Sequence, residues 1–298
     1  MTAQTGTIST TTRRIHSRNY YRWRRNIFHW IGNILTIIVL VIMLFPFVWL
    51  ILTTFKQPVE FLTWPPVFFP SHPTLANYQA VLKVQFIGRY FLNTLIIASA
   101  STFLAVTLGS SAAYALARIK FPFNINAIIA IWILITRMYP AVATAVPYFV
   151  LIQRLGLLDK HLALIITYTS FNLPFVVWLM LGFFQAIPKD LEKAAIVDGT
   201  SMWERFTKIV LPLAKPGLIA TTILSFILGW NEFLFAVILT SLKAKTVPVV
   251  MAGFITDKGL DWGTMSALGT MLVMPVIILA WMSQKYLIRG LTLGAVKE

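Results

Sequence analysis

Cysteine is absent from the 298 residues, and acids are scarce, with ten Asp and Glu against 25 Lys and Arg. Without cysteine, neither disulfides nor thiolate metal sites can hold the fold, and stability must come from helix packing. No Gly-Lys dipeptide occurs, which excludes the Gly-Lys-Ser/Thr loop that cradles nucleotide phosphates. A metal-dependent peptidase motif and a Gly-x-Ser-x-Gly elbow are also missing, and His16, His29, His72 and His161 are scattered, so nothing points to an enzyme. Charge of either sign is sparse at 12%, while 58% of residues are apolar. Ordinary soluble domains carry about 25% charged and roughly 45–50% apolar residues.

The apolar excess is clustered. Runs such as Ile34–Leu44, Leu95–Leu108 and Ile125–Ile135 are almost uncharged, and a helix needs about 20 such residues to cross a bilayer. The stretch 27–55 is too long for the roughly 7–15-residue core of a signal peptide, and no small-residue cleavage site follows it. It reads as a first transmembrane helix. Five further spans are expected at Phe91–Ala115, Ile125–Ile152, Leu162–Phe184, Leu218–Thr240 and Met265–Leu287, making an all-α, six-helix polytopic protein. Residues 1–26 form a basic tail and 27–298 the membrane domain. Lys56–Arg89, rich in proline and aromatics, suits a folded outer loop on the membrane surface.

Lys and Arg resist translocation and collect on the cytoplasmic side. With the N-terminus inside, sixteen of them fall on cytoplasmic segments and eight on outer ones, with Arg137 inside a span. Both termini are therefore expected in the cytoplasm. The formal charge of +15 is explained the same way, without nucleic acid.

The loop between the fourth and fifth spans, about 185–216, is then cytoplasmic. Pro188 suits a helix start, with Asp190 and Glu192 near the positive end of the dipole. Gly199 can take the left-handed conformation that ends the helix. Ser201 and Glu204 form a capping box, so a second helix begins at once and is expected to stop at Pro212. Trp203, Phe206, Ile209 and Val210 recur at helical spacing on it, while Ala194 and Ala195 keep the first helix thin. Such a hairpin could plug a partner's groove or pack beneath its own membrane domain.

The run Glu192-Lys-Ala-Ala-Ile-Val-Asp-Gly199, followed by Phe206, Ile209, Leu211 and Pro212, resembles the EAA loop of permeases in binding-protein-dependent ATP-binding-cassette (ABC) importers. One departure is that Lys193 stands where the commonest form has Glu, and Glu192 precedes it. Trp230-Asn231-Glu232-Phe233, Arg137-Met-Tyr-Pro140, Ala112-Ala-Tyr-Ala-Leu-Ala-Arg118 and the ending Gly290-Leu-Thr-Leu-Gly-Ala-Val-Lys297 are similar to the second permease of maltose- and trehalose-type sugar importers. The resemblance implies a bacterial inner-membrane location and a carbohydrate substrate such as an oligosaccharide, disaccharide or glucoside. It implies a second permease, two ATPase subunits and an extracytoplasmic solute-binding protein as partners. ATP and Mg would sit on the ATPases, and this chain would hold no cofactor. Glu192, Ala194, Ala195, Asp198, Gly199, Phe206, Ile209, Leu211 and Pro212 would form the ATPase-coupling loop, and the C-terminal tail would reach the ATPases.

Asn231, Glu232 and Arg137 are candidate pathway residues, because an ionisable group inside a membrane is costly unless it faces a cavity or a partner. Arg137 could pair with Glu232 or snorkel to the interface. Trp132, Tyr139, Tyr148 and Tyr168 could stack on sugar rings or simply pack. Pro46, Pro140, Pro147, Pro174 and Pro275 mark places where spans could bend. Two alternatives are an ABC permease for another solute and an ion-coupled carrier, though the repeat and the several intramembrane carboxylates expected of a carrier are not evident.

Overall fold

The computed structural model describes residues 11–119, 121–256 and 259–293, with side chains over 29–119, 121–255 and 259–285. The arginines of the N-terminal tail, Lys120, Lys258 and the Gly290–Lys297 ending lie outside the described side chains. Among the described residues the regular structure is helical apart from a two-residue antiparallel pairing of Ile255–Thr256 with Gly259–Leu260.

Four helices are long and apolar enough to cross a membrane. They are α1 (Thr11–Thr54, apolar from His29), α3 (Ile87–Arg118), α6 (His161–Ala186) and α13 (Trp262–Leu293), with the short helices α2 (Ala76–Lys83) before α3 and α12 (Val247–Ala252) before α13. Two bent pairs raise the number to as many as six. One is α4 (Ile125–Met138, with a short 3-10 lead-in) and α5 (Ala141–Arg154), which meet at 93°. The other is the Met202–Leu213 segment and α10 (Lys215–Trp230), which meet at 81°.

Two expected continuous spans are therefore broken. The third breaks at Tyr139-Pro140, because Pro140 has no amide hydrogen to give and disfavours helix in the residue before it. The fifth ends at Trp230 and resumes as α11 (Leu234–Leu239) after a non-helical turn at Asn231–Phe233. Pro46, Pro147, Pro174 and Pro275 all lie inside continuous helices. Among the five expected bends, only Pro140 marks a break.

The packing is that of a protein in lipid. On α3 the inward residues are small or hydroxylated, including Ala98, Ser101, Thr102, Ala105, Gly109 and Ala113, while Leu92, Phe103 and Leu108 face outward. Small residues let two backbones approach closely where hydrophobic driving force is missing. A Cβ at Gly109 would lie 2.7 Å from Val176 of α6. Some buried hydroxyls fold back on their own helix, as in Thr94 to the Tyr90 carbonyl at 2.8 Å and Thr167 to Ala163 at 2.8 Å, whereas others such as Thr102, Ser110 and Thr221 have no partner among the described residues. Such bonds satisfy polar groups where no water is available. The most apolar window of α1 buries no residue within the chain, while its C-terminal end packs, with Thr53 and Thr54 buried.

α6 runs about 39 Å at 1.5 Å per residue and links two polar assemblies. At its start, Asp159 accepts hydrogen bonds from the amides of Ser241, Leu242, Lys243 and Ala244 at 3.0–3.2 Å. Partial burial raises its pKa, but these four amides outweigh that and hold the carboxyl below the ordinary carboxylate range. It stays ionised. Asn93 completes the clamp, donating to the Lys243 and Lys245 carbonyls at 2.9 Å each and meeting His161 Nε2 at 2.7 Å. Asp159→Ala is expected to cost about 2 kcal/mol, since bonds to a charged group are worth roughly 1.5–3. Thermal unfolding in detergent should show a lower midpoint, with Asp159→Asn closer to wild type.

Candidate coupling hairpin and membrane groove

At the far end of α6 the chain turns through Ile187 into α7 (Lys189–Val197), with Pro188 as its N-cap and Asp190 and Glu192 in its first turn. Gly199 follows at φ +78°, and its amide donates to the Ile196 carbonyl at 3.0 Å. Thr200 closes the turn through amide and hydroxyl bonds to the Ala195 carbonyl at 3.1 and 2.7 Å. Arg205 braces it from the next helix with a 2.7 Å bond to the Thr200 carbonyl.

The expected capping box is present. The Glu204 amide donates to Ser201 Oγ at 3.2 Å, and the Ser201 amide donates to Glu204 Oε2 at 3.0 Å. α8 (Met202–Glu204) continues through a π-helical stretch, Arg205–Val210, into α9 (Leu211–Leu213). The helix thus passes Pro212 instead of stopping there. Pro212 occupies the first turn of α9, where a missing amide hydrogen costs little after the wider π turns, and the bend comes at Ala214.

Two faces of the hairpin have opposite destinations. Inward, Glu192 forms an ion pair with Arg118 Nε at the end of α3 and accepts the Tyr114 hydroxyl at 2.8 Å. Both charged side chains are less than a tenth exposed. Arg118 also donates to the Ile187 carbonyl at 3.1 Å. Tyr114 lies tilted by 30° against Phe206 with ring centroids 4.8 Å apart and meets Phe184 edge-on at 5.9 Å. Ala195 and Val210 are buried beside this cluster.

Outward, the hairpin leaves Leu191, Ala194, Val197, Asp198, Met202 and Trp203 exposed, Val197 at 88% and Trp203 at 67%. Trp203 therefore does not share the buried face of Phe206 and Val210. Ile209 and Leu211 are half-buried and Pro212 is exposed. Glu192, Ala195 and Phe206 are the members of the loop motif that turn inward. The Glu192 partners Tyr114 and Arg118 were not identified as site residues from the sequence, although a carboxylate in an apolar hairpin needs a nearby cation. Gly199→Val is expected to loosen the turn, since a β-branched residue is strained at positive φ, whereas Gly199→Asn fits. Limited proteolysis of the hairpin in the membrane reports the difference.

The pathway candidates do not form one cluster. Glu232 caps the resumed helix, its Oε1 accepting from the Phe235 amide at 2.8 Å and its Oε2 from Ala236 at 3.2 Å. Buried Tyr168 lies against the same carboxylate. Asn231 bonds the Ile227 carbonyl of its own helix at 3.0 Å. Arg137 makes no ion pair with Glu232 or with any other carboxylate among the described residues. It donates to the Phe171 carbonyl at 3.3 Å and lines a groove of about 670 Å³ together with Trp132, Thr136, Tyr139, Tyr148 and Ser170. Among the described residues, no His, Asp and Glu group could hold a metal.

Residues 105–293 match the family described as binding-protein-dependent transport system inner membrane component. A probable ABC transporter permease of Sinorhizobium fredii is 40% identical over 254 residues, covering 85% of this chain and 90% of the relative. The trehalose/maltose transport system permease of Thermococcus litoralis is 38% identical over 265 residues, covering 88% and 94%. A chain of a bacterial ABC transporter involved in import of the acidic polysaccharide alginate shares the fold, with a TM-score of 0.72 at 24% identity over 95% of this chain and 99% of that one. The chain belongs to the family of binding-protein-dependent transport system inner membrane components.

Proposed function

We propose that this chain is one of two permeases in an ABC importer for a carbohydrate. The carrying observation is the two-faced hairpin, bolted to α3 through Glu192 and Arg118 while it presents an exposed apolar face. A rigid helix offering Leu191, Val197 and Trp203 suits the helix-in-groove mode of recognition. The occupied groove belongs to a separate ATPase subunit, one per permease, carrying ATP and Mg. The excess of Lys and Arg on the segments assigned inside supports a cytoplasmic hairpin and cytoplasmic termini. Asp198 and Gly199 set the turn, and Ala194, Phe206, Ile209, Leu211 and Pro212 shape the two helices around it.

Closure of the ATPases around ATP pulls the hairpin, and the Glu192–Arg118 pair hands that movement to α3. The cycle requires ATP to bind the closed arrangement more tightly than the open one. A binding protein outside delivers the sugar to a pathway between the two permeases. The carbohydrate assignment draws on relatives of this chain that are named for sugar transport.

The chain, tagged and extracted in mild detergent, should co-purify with a second permease and an ATPase bearing a Walker motif, identified by mass spectrometry. Deleting its gene should stop uptake of at least one disaccharide. Purification alone or as a homodimer, under conditions that preserve complexes, would favour a carrier instead.

A further inference from the structure

We propose that the groove between α4, α5 and α6 is a sugar subsite supplied by this chain, with Arg137 as its specificity-determining donor. The inference rests on the carbohydrate-importer reading above. Arg137 lies in the last turn of α4, about 18 Å along the first limb of the bent, apolar α4–α5 pair. A charge in such a stretch persists only where it faces a partner or a wet cavity. No carboxylate among the described residues pairs with it, and the Phe171 carbonyl engages one of the five donors of a guanidinium. Arg137 also lines the groove.

The surroundings suit a sugar better than an acyl chain. Thr136, Thr144 and Ser170 line the groove with Trp132 and Tyr139, whose rings are exposed. Tyr148 is held by a 2.7 Å bond to Ser170 and by ring contacts to Phe171 and Phe235 at 5.4 and 5.5 Å. Aromatic faces accept the apolar face of a pyranose ring. The planar guanidinium can reach two adjacent ring oxygens at once. A volume of about 670 Å³ falls within the range of roughly 300–1,000 Å³ for small-molecule sites. The 93° break between α4 and α5 opens the groove, and broken helices at membrane depth are tolerated where they line a cavity. Thr136, Thr144 and Ser170 already bond within the chain, so it is the guanidinium that an acyl chain would leave short of acceptors.

The test uses the complete importer in liposomes with its binding protein. Radiolabelled trehalose and maltose serve as probes, and the complex is trapped with ATP and vanadate before retained sugar is counted. Arg137→Gln should retain about ten-fold less sugar, the loss of one charged hydrogen bond, while ATP hydrolysis stays within about two-fold. Arg137→Lys should recover only part of the retention, because the planar fork is lost. Trp281→Leu, an exposed aromatic outside the groove, should behave as wild type. Wild-type retention in Arg137→Gln overturns the subsite. So does a wild-type complex that transports sugar but traps none, or an Arg137→Gln chain that no longer assembles with its partner permease. A wild-type importer that moves no sugar contradicts the carbohydrate reading itself and removes this inference with it.

Discussion

Glu192→Ala is expected to abolish uptake while the chain remains in the membrane at near-normal abundance. The substitution strands Arg118, whose side chain is only 9% exposed, and removes the acceptor of the Tyr114 hydroxyl. Breaking one side of a buried pair costs about 3–5 kcal/mol, mostly from the unpaired charge left behind. That cost falls on the joint between hairpin and α3, so ATP-driven movement no longer reaches the membrane helices. Glu192→Gln keeps the hydrogen bond to Tyr114 and should be intermediate. Replacing both partners by Met removes the stranded charge, and such exchanges are often neutral for stability. The double variant should therefore recover much of the lost thermal stability. Uptake measured beside membrane abundance decides the matter. Full uptake in Glu192→Ala would detach this pair from the mechanism.

Val197→Asp should do comparable damage by a different route. Val197 is 88% exposed and loses no contact within the chain, so the unfolding midpoint of the isolated subunit should not move. The new carboxylate would be buried unpaired against an apolar groove, costing several kcal/mol at the interface. Recovery of the ATPase on the tagged chain should fall at least ten-fold, and uptake should fall with it. Trp203→Ala should weaken association in the same direction. An unaltered yield of ATPase with Val197→Asp would mean that the exposed face does not meet it.

These two variants also mark where sequence was informative. The hairpin's turns are written locally: Pro188 opens the first helix, Gly199 ends it, and Ser201 with Glu204 opens the second. Each signal acts over three or four residues and can be read without knowing the fold. The inward destination of Glu192 depends on a partner 74 residues earlier, and Phe206, within the π turns that carry the helix past Pro212, packs on Tyr114 and Phe184.

The same contrast holds in the membrane. A hydropathy window registers apolar length, so it joined α4 to α5 and α10 to α11 across breaks flanked by apolar residues. Glu232, a candidate pathway carboxylate by its place in an apolar stretch, also caps the amides exposed where the fifth span breaks, and no hydropathy window registers that. Trp132, Tyr139 and Tyr148 were indistinguishable from packing aromatics until the bend at Pro140 brought them around Arg137. Tyr168 went the other way and is buried.

The most direct test of the account is a photo-crosslinking amino acid placed at Val197 in the intact membrane, with a second placed at the buried Phe206 for comparison. On illumination, position 197 should yield an adduct to a separate chain with a nucleotide-binding Walker motif, and position 206 should yield none. Adducts from position 197 only to lipid or to this chain itself would contradict the coupling role of the hairpin.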